Sequence, residues 1–353
     1  RGLAGAGGAP QHEGGDLVRL DGPAQRAPGP QHVLLADEVL EPPRAEPLRQ
    51  GLPGDIAVGG VIEEIHGIGD NIRRMEGHPC PIPRRVGIVP KNTSAEASET
   101  ATYVGQFLAN KGVEVITDEA AIARDADLVV VLGGDGTLIH AATLLDGRPV
   151  PILGINMGSL GFMTETPQAE MYPALDQVLE GKAVVTQRMK LRVHLHRGGR
   201  PERALDTEVL NDVVISKSPF SRMAELDTRC NGDFVTTLKA DGVIVASPTG
   251  STAYALAANG PILFPTMRGV VMAPICPHTL TQRPIVVPDD QTIDIVLMND
   301  AEVFLTIDGK KGPAIVKGDR VQVKQSYNRV LLVHNQKLDF FGILRAKLRW
   351  GER

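Results

Sequence analysis

From Val86 onward the apolar residues fall in short runs of two kinds. Val86–Pro90, Val113–Thr117, Leu128–Leu132 and Pro151–Asn156 are compact β-branched and aliphatic runs, the pattern of strands buried on both faces of a parallel sheet. Between the first two, Ser94 is followed by Ala97, Ala101, Val104, Phe107 and Leu108 at helical spacing, a capped amphipathic helix that Gly112 ends. A second helix is predicted from about Gly136 to Leu145, and the alternation as a whole predicts a doubly wound nucleotide-type α/β layer. Beyond a helix near Gln168–Leu179 the period drops to two. Arg192–His196 alternates, Val209–Ser216 and Thr236–Ala246 read as strands, and short alternating stretches recur from Ile285 to Val333 between turns such as Asp308-Gly309 and Lys317-Gly318-Asp319, as in an all-β domain. The closing Phe340–Trp350 is amphipathic and is expected to return to the α/β layer.

Two glycine-rich turns fall where ligands bind in such sheets, beyond the C-terminal ends of strands. Gly133-Gly134-Asp135-Gly136-Thr137 follows the Leu128–Leu132 strand and opens a helix. Glycines there allow φ values closed to other residues, so successive N–H groups can face an anion, and Asp135 is set beside a helix N-terminus and a phosphate-sized hollow. The same tetrapeptide also serves as a plain tight turn ending a core strand. The second turn is Gly158-Ser159-Leu160-Gly161. Farther on, a Val243–Ala246 strand is punctuated by Ser247-Pro248, and Thr249-Gly250-Ser251-Thr252 opens a helix-like segment closing at Gly260. Its hydroxyls make either a polar hollow lined by Tyr254 or the cap of a core helix. Asn211-Asp212 interrupts an apolar strand; buried polar groups need partners, so the pair points to a polyol or amide ligand, or else to a strand-end turn. His194 and His196 at period two lack a nearby third ligand and are expected on an exposed strand face.

Composition narrows the classes. Residues 1–74 contain no aromatic residue and no Lys, Ser, Thr, Cys or Met, and offer too little apolar surface to offset the entropy of ordering. They are expected to be disordered, or to be a translated upstream region ahead of a working start near Met75, the first methionine. Residues 1–83 hold twelve acids against seven arginines, the whole of the formal charge of −5, so the remainder is balanced and offers no basic surface for nucleic acid. Three widely spaced cysteines, Cys80, Cys230 and Cys276, suit a reducing cytoplasm, and no apolar run approaches a membrane span. No G-x-x-x-x-G-K-[ST] occurs, which excludes a P-loop enzyme.

In order along the chain stand GGDGT at 133–137, GINMGSLGF at 154–162, Asn211-Asp212, DGVIVASPTGSTAY at 241–254, PICPHTL at 274–280, IDGK at 307–310 and a terminal KLRW. With these, about three quarters of the chain resembles the bacterial NAD kinases, ATP-dependent enzymes that phosphorylate the 2′-hydroxyl of the adenosine ribose of NAD to give NADP. The resemblance implies a Rossmann-like α/β domain, a β-sandwich dinucleotide-binding domain and a C-terminal segment crossing back. On this chain the divisions would be an extension at 1–83, the α/β domain at 84–185, the sandwich at 186–325 and the returning segment at 326–353. It implies Asp135 as catalytic carboxylate, with Gly133, Gly134, Gly136, Thr137 and Mg²⁺ around the ATP phosphates and no dedicated metal ligands in the protein. It implies Asn211 and Asp212 at the NAD ribose and adenine, Asp241 at the nicotinamide end, and Thr249, Thr252, Ala253 and Tyr254 along the dinucleotide. Lys239 stands where relatives often carry Arg, a place used in choosing between oxidised and reduced dinucleotide. A homodimer or homotetramer is implied, without nucleic acid or membrane. Two other readings share part of this set: a lipid kinase of the diacylglycerol type, which has GGDGT, and a dinucleotide sensor that has lost the chemistry.

Overall fold

The computed structural model describes residues 77–198, 203–335 and 337–351. The expectation of disorder or of a late start for residues 1–74 lies outside them. The described chain opens with β1 (His78–Pro79), β2 (Arg85–Pro90), α1 (Ala95–Asn110), β3 (Glu114–Ile116), α2 (Glu119–Asp125), β4 (Leu128–Gly133), α3 (Asp135–Leu144) and β5 (Pro151–Asn156). Every residue of β4 and β5 is buried, as the apolar runs require. The parallel order is β3-β2-β4-β5. Helix α1 starts where the Ser94 hydroxyl accepts the Ala97 N–H at 3.2 Å, and it buries Val104 and Leu108 on one face of the sheet. The opposite face is covered by α2 and α3, through Ile122, Leu138 and Ile139. Helix α2 was not legible in the hydrophobic pattern because it is short and buries only Ile122; its marker is the polar cap Asp118, which accepts the Ala121 N–H at 2.8 Å.

The chain continues through β6 (Thr166–Pro167), α4 (Met171–Leu179), β7 (Val184–His196), β8 (Arg203–Val209), β9 (Asp212–Lys217), β10 (Ala224–Cys230), β11 (Asp233–Ala240) and β12 (Gly242–Ala246). It ends with the one-turn helix α5 (Tyr254–Ala257), β13 (Gly269–Ile275), β14 (Ile285–Pro288), β15 (Ile293–Leu297), β16 (Val303–Ile307), β17 (Lys310–Ile315), β18 (Arg320–His334) and α6 (Phe340–Leu348). Six antiparallel strands, β14-β13-β12-β9-β16-β17, form one layer of a sandwich. The facing layer comprises β7, β10, β15 and β18. Leu191, Val193, Ile295 and Val323 from it meet Val213, Ile215, Val245 and Leu305 across a shared core.

The long β18 joins the two halves. Its first part pairs antiparallel with β15, and its second part lies parallel to β5, with Leu331 opposite Pro151 and Leu332 opposite Ile152. Both halves therefore share one continuous hydrogen-bonded sheet. Helix α6 then brings Lys347 over the Phe162 ring at 5.7 Å and Phe340 against Phe264 at 5.2 Å, which is the return of the C-terminal segment.

Two expectations need correcting. His194 is 1% exposed and not on an open face: β7 is flanked by β8 and β18, and their Asp206 and Gln322, directly opposite it, close over the ring. The helix expected up to Gly260 is only α5 with a separate 3-10 turn at Thr249–Thr252. Ser251 and Thr252 donate their hydroxyls back to Pro248 and Thr249 carbonyls, and Ala253 leaves the helical region at φ −95, ψ −128.

Candidate active site

Strand β4 ends at Gly133 and Asp135 is the first residue of α3, so the Gly134–Gly136 amides belong to a helix start whose N–H groups lack intrahelical partners. The expectation that Gly133 and Gly134 supply unusual φ values is overturned: neither has positive φ, and Gly134 sits at φ −108. Their role is space. A Cβ on Gly133 would collide with the Thr137 side chain, whereas Gly134 and Gly136 face open space where a ligand can reach the backbone. Asp135 is held by the loop after β5. Its Oδ2 accepts the Phe162 N–H at 2.8 Å; its Oδ1 accepts the Met163 N–H at 3.1 Å and both the N–H and the hydroxyl of Thr164 at 3.0 Å. Gly161 is required for that approach, since any Cβ there would collide with the Asp135 carboxylate. Asn156, buried at the end of β5, staples the loop by donating to the Ser159 carbonyl and the Thr164 hydroxyl and accepting the Gly158 N–H. Asn156 and Thr164 were missed in the sequence, although a carboxamide at the end of a fully apolar strand is the signal that marks Asn156.

The second group is anchored to the first through Leu210, which packs with Leu138 and Ile139 of α3 and with Met163. Asn211 falls in the break between β8 and β9 and Asp212 begins β9, so the pair stands at a strand end and not inside a strand. The Asn211 carbonyl accepts the Ser247 N–H at 2.9 Å, and Gly250 lies so close to it that no side chain fits. Ser247 donates its hydroxyl to the Leu210 carbonyl and accepts the Gly250 N–H, and Ser251 accepts the Leu263 N–H. The hydroxyls of Ser251 and Thr252 thus donate to the segment's own backbone, and that of Ser247 ties it to Leu210. Thr249 Oγ1 and Asn211 Oδ1 are buried without a partner among the described residues; such groups normally have one.

Asn211, Asp212, Val214, Ser216, Tyr254 and Thr306 line a cavity of about 330 Å³. Asp212, Val214 and Ser216 alternate along β9 and so share one face of the strand. Asp212 is 5% exposed. Burial, then the neighbouring charge of Asp308, push its carboxyl up to about 6, against a bond from the Tyr254 N–H that lowers it. Because β12 runs antiparallel to β9, with Ala246 opposite Asp212 and Gly242 opposite Ser216, Asp241 precedes β12 at the far end of this strand pair, roughly 13–16 Å from Asp212 at the usual strand rise. There Lys217 Nζ approaches Asp241 at 3.7 Å, Lys239 pairs with Glu225 at 3.1 Å, and the exposed His278 donates its N–H to the Lys239 carbonyl. Lys217 was missed because a lysine closing an apolar strand looks like any surface lysine. Tyr254 and Ala253 sit at the near end, and Tyr254 also lines a larger groove of about 760 Å³ bounded by Pro274, Cys276, Leu280 and Arg283.

Among the described residues no three His, Cys, Asp or Glu side chains gather as a metal site, and no helix is long and apolar enough to cross a membrane. A fixed carboxylate at an open helix start, with a second, polar-lined pocket on the β-sandwich, is the arrangement of a phosphotransferase that acts on a nucleotide. Residues 119–183 match the ATP-NAD kinase N-terminal domain and residues 210–335 the ATP-NAD kinase C-terminal domain. The chain is 52% identical over 233 residues to the NAD kinase of Geotalea daltonii, covering 66% of this chain and 81% of that one. It is 43% identical over 289 residues to the NAD kinase of Citrifermentans bemidjiense, covering 76% and 100%. In structure it is similar to a yeast NADH kinase complexed with NADH (TM-score 0.73, 24% identity, 80% and 95% covered), a likeness of fold. It is also similar to an NAD kinase from Archaeoglobus fulgidus in complex with ATP (TM-score 0.62, 25% identity, 74% and 99% covered). The chain belongs to the NAD kinase family.

Proposed function

We propose that this kinase transfers the γ-phosphoryl group of ATP to the 2′-hydroxyl of the adenosine ribose of NAD, with Asp135 taking the proton. The observation that carries the residue assignment is the four-donor grip on Asp135. A carboxylate has about four lone-pair sites in all; Oδ1 accepts three bonds and Oδ2 one, so Oδ2 keeps the capacity to accept a substrate hydroxyl. As the 2′-oxygen bonds to phosphorus, its proton passes to Oδ2 and ADP leaves. A positioned base of this kind contributes about 10²- to 10⁴-fold, the remainder being alignment and charge neutralisation.

The open backbone at Gly134 and Gly136 suits close approach of phosphate oxygens to the start of α3. The adenosine end of NAD is assigned to Asn211, Asp212, Ala253 and Tyr254, which line one pocket and where Asn211 Oδ1 has no partner among the described residues. The run of roughly 13–16 Å along β9 toward Asp241, with Lys239 beyond it, suits an extended dinucleotide, and Thr249 and Thr252 are assigned to its adenosine end, after β12. With no carboxylate cage among the described residues, Mg²⁺ fits as an ion brought by the triphosphate, where it neutralises phosphate charge. We place the enzyme in the cytoplasm as a homodimer or homotetramer; its three free cysteines suit that compartment. The test of regiochemistry is 2′-deoxy-NAD beside NAD, with ATP and Mg²⁺. NAD should give a product reduced by an NADP-specific dehydrogenase and the deoxy compound none; phosphorylation of both would contradict the 2′ assignment.

A further inference from the structure

Asp308 lies at the tip of the β16–β17 hairpin, where Ile307 pairs with Lys310 across a two-residue loop. Asp308 at φ +45 and Gly309 at φ +76 both occupy the left-handed region, as a type I′ turn demands. For the turn alone Asn would serve as well as Asp. The carboxylate has further work: Oδ2 accepts the Leu210 N–H at 2.8 Å, and Oδ1 accepts the N–H groups of Asn211 at 2.8 Å and Asp212 at 3.2 Å. The Asp308 N–H donates in turn to the Asp212 carbonyl at 3.0 Å. Four hydrogen bonds therefore tie this tip to the break between β8 and β9, and three of them need an acceptor with two oxygens.

We infer that Asp308 is a positioning residue for dinucleotide binding, fixing the Asn211-Asp212 backbone so that both side chains face the pocket before NAD arrives. The placement works against electrostatics. Two half-buried or buried carboxylates stand side by side, and burial pushes the Asp308 carboxyl up while the three amides and Lys190 pull it down. A merely structural turn has no need of a second negative group beside Asp212. Neutral residues at 308 would relieve that repulsion and release the 210–212 backbone. The inference rests on the assignment of Asn211 and Asp212 to the dinucleotide.

The test uses the full chain and compares Asp308→Asn, Asp212→Asn, the double variant and Gly309→Ala. In Asp308→Asn one acceptor oxygen becomes an NH₂ facing a backbone N–H, so the KM for NAD should rise about tenfold or more while the KM for ATP and kcat move less than about threefold. In the Asp212→Asn background the second substitution should add little, since both act on one contact. Gly309→Ala strains the turn but keeps the carboxylate, and should lower Tm without raising the KM for NAD. Equal losses for NAD and ATP, or full additivity, would overturn the inference. An unchanged KM in Asp212→Asn would instead remove the reading of the pocket on which it rests. Should Asp308→Asn fail to fold, amide exchange in the unaltered chain decides. Slow exchange at Leu210, Asn211 and Asp212 without NAD is expected, and exchange that slows only on adding NAD would overturn it.

Discussion

The backbone N–H and the hydroxyl of Thr164 both donate to the same oxygen of Asp135, each at 3.0 Å. One residue of the loop after β5 therefore fixes the rotamer of a carboxylate 29 positions away, leaving the other oxygen of Asp135 with a single protein donor, the Phe162 N–H. Thr164→Val keeps shape and amide but removes the hydroxyl, both from Asp135 and from Asn156, which donates to it. A hydrogen bond to a charged group contributes roughly 1.5–3 kcal/mol, so kcat should fall about tenfold while the KM for NAD stays within about twofold. Steady-state kinetics on the folded variant check this.

Gly161→Ala tests the same grip from the opposite side. Its Cβ would fall well inside 3.0 Å of both the Asp135 carboxylate and the Thr164 hydroxyl, a separation real Cβ atoms do not show. The loop must retreat and the carboxylate lose its frame, so kcat should drop by about two orders of magnitude, the lower part of what a positioned base supplies. An unaltered kcat would mean that the rotamer of Asp135 is not set by this loop.

Gly250→Ala acts on the other pocket. There a Cβ would run into the carbonyl group of Asn211, which is backbone and cannot swing aside. Overpacking of this kind costs about 1–3 kcal/mol. The expected outcome is a lower Tm together with a raised KM for NAD, read by thermal melts and by kinetics at varied NAD.

Asp212 gives the chain a pH dependence of definite sign. Its carboxyl is raised from 3.8 to about 6 by burial and then by the charge of Asp308. Between those values the folded protein keeps a proton that the unfolded chain has released, so this group stabilises the fold below pH 4 and the contribution is lost as pH rises through 6. The span is about 3 kcal/mol at most. Asp212→Asn should flatten that part of the stability profile in urea titrations between pH 4 and 7. The ionised carboxylate is the stronger acceptor for a ribose hydroxyl, so the KM for NAD should improve from pH 5 to 7 in the wild type and not in the variant.

The alternation of buried strands and amphipathic helices was legible because β4 is apolar throughout, β5 is apolar up to its closing Asn156, and α1 has a Ser cap and a closing glycine. The period-two stretches likewise revealed the antiparallel half. What no local pattern carries is pairing between distant segments, and so β18 bridging β15 and β5 was not readable. The site divides in the same way. Asp135, Asn211 and Asp212 stand out because polar residues interrupt apolar runs. Their holders are Thr164, whose hydroxyl looks ordinary, and Asp308, whose Asp-Gly pair reads only as a turn until the fold brings it to Leu210–Asp212. His194 misled because alternation shows which face a residue takes and not whether neighbouring strands cover it.

The most direct test is NADP formation from NAD, ATP and Mg²⁺ by the full chain and by Asp135→Asn side by side, read with an NADP-specific dehydrogenase. Turnover by the wild type is expected, with a loss of about 10²- to 10⁴-fold in the variant and with folding and NAD binding retained. A variant turning over at the wild-type rate would contradict Asp135 as the base, and a folded wild type that binds NAD yet makes no NADP would contradict the kinase itself.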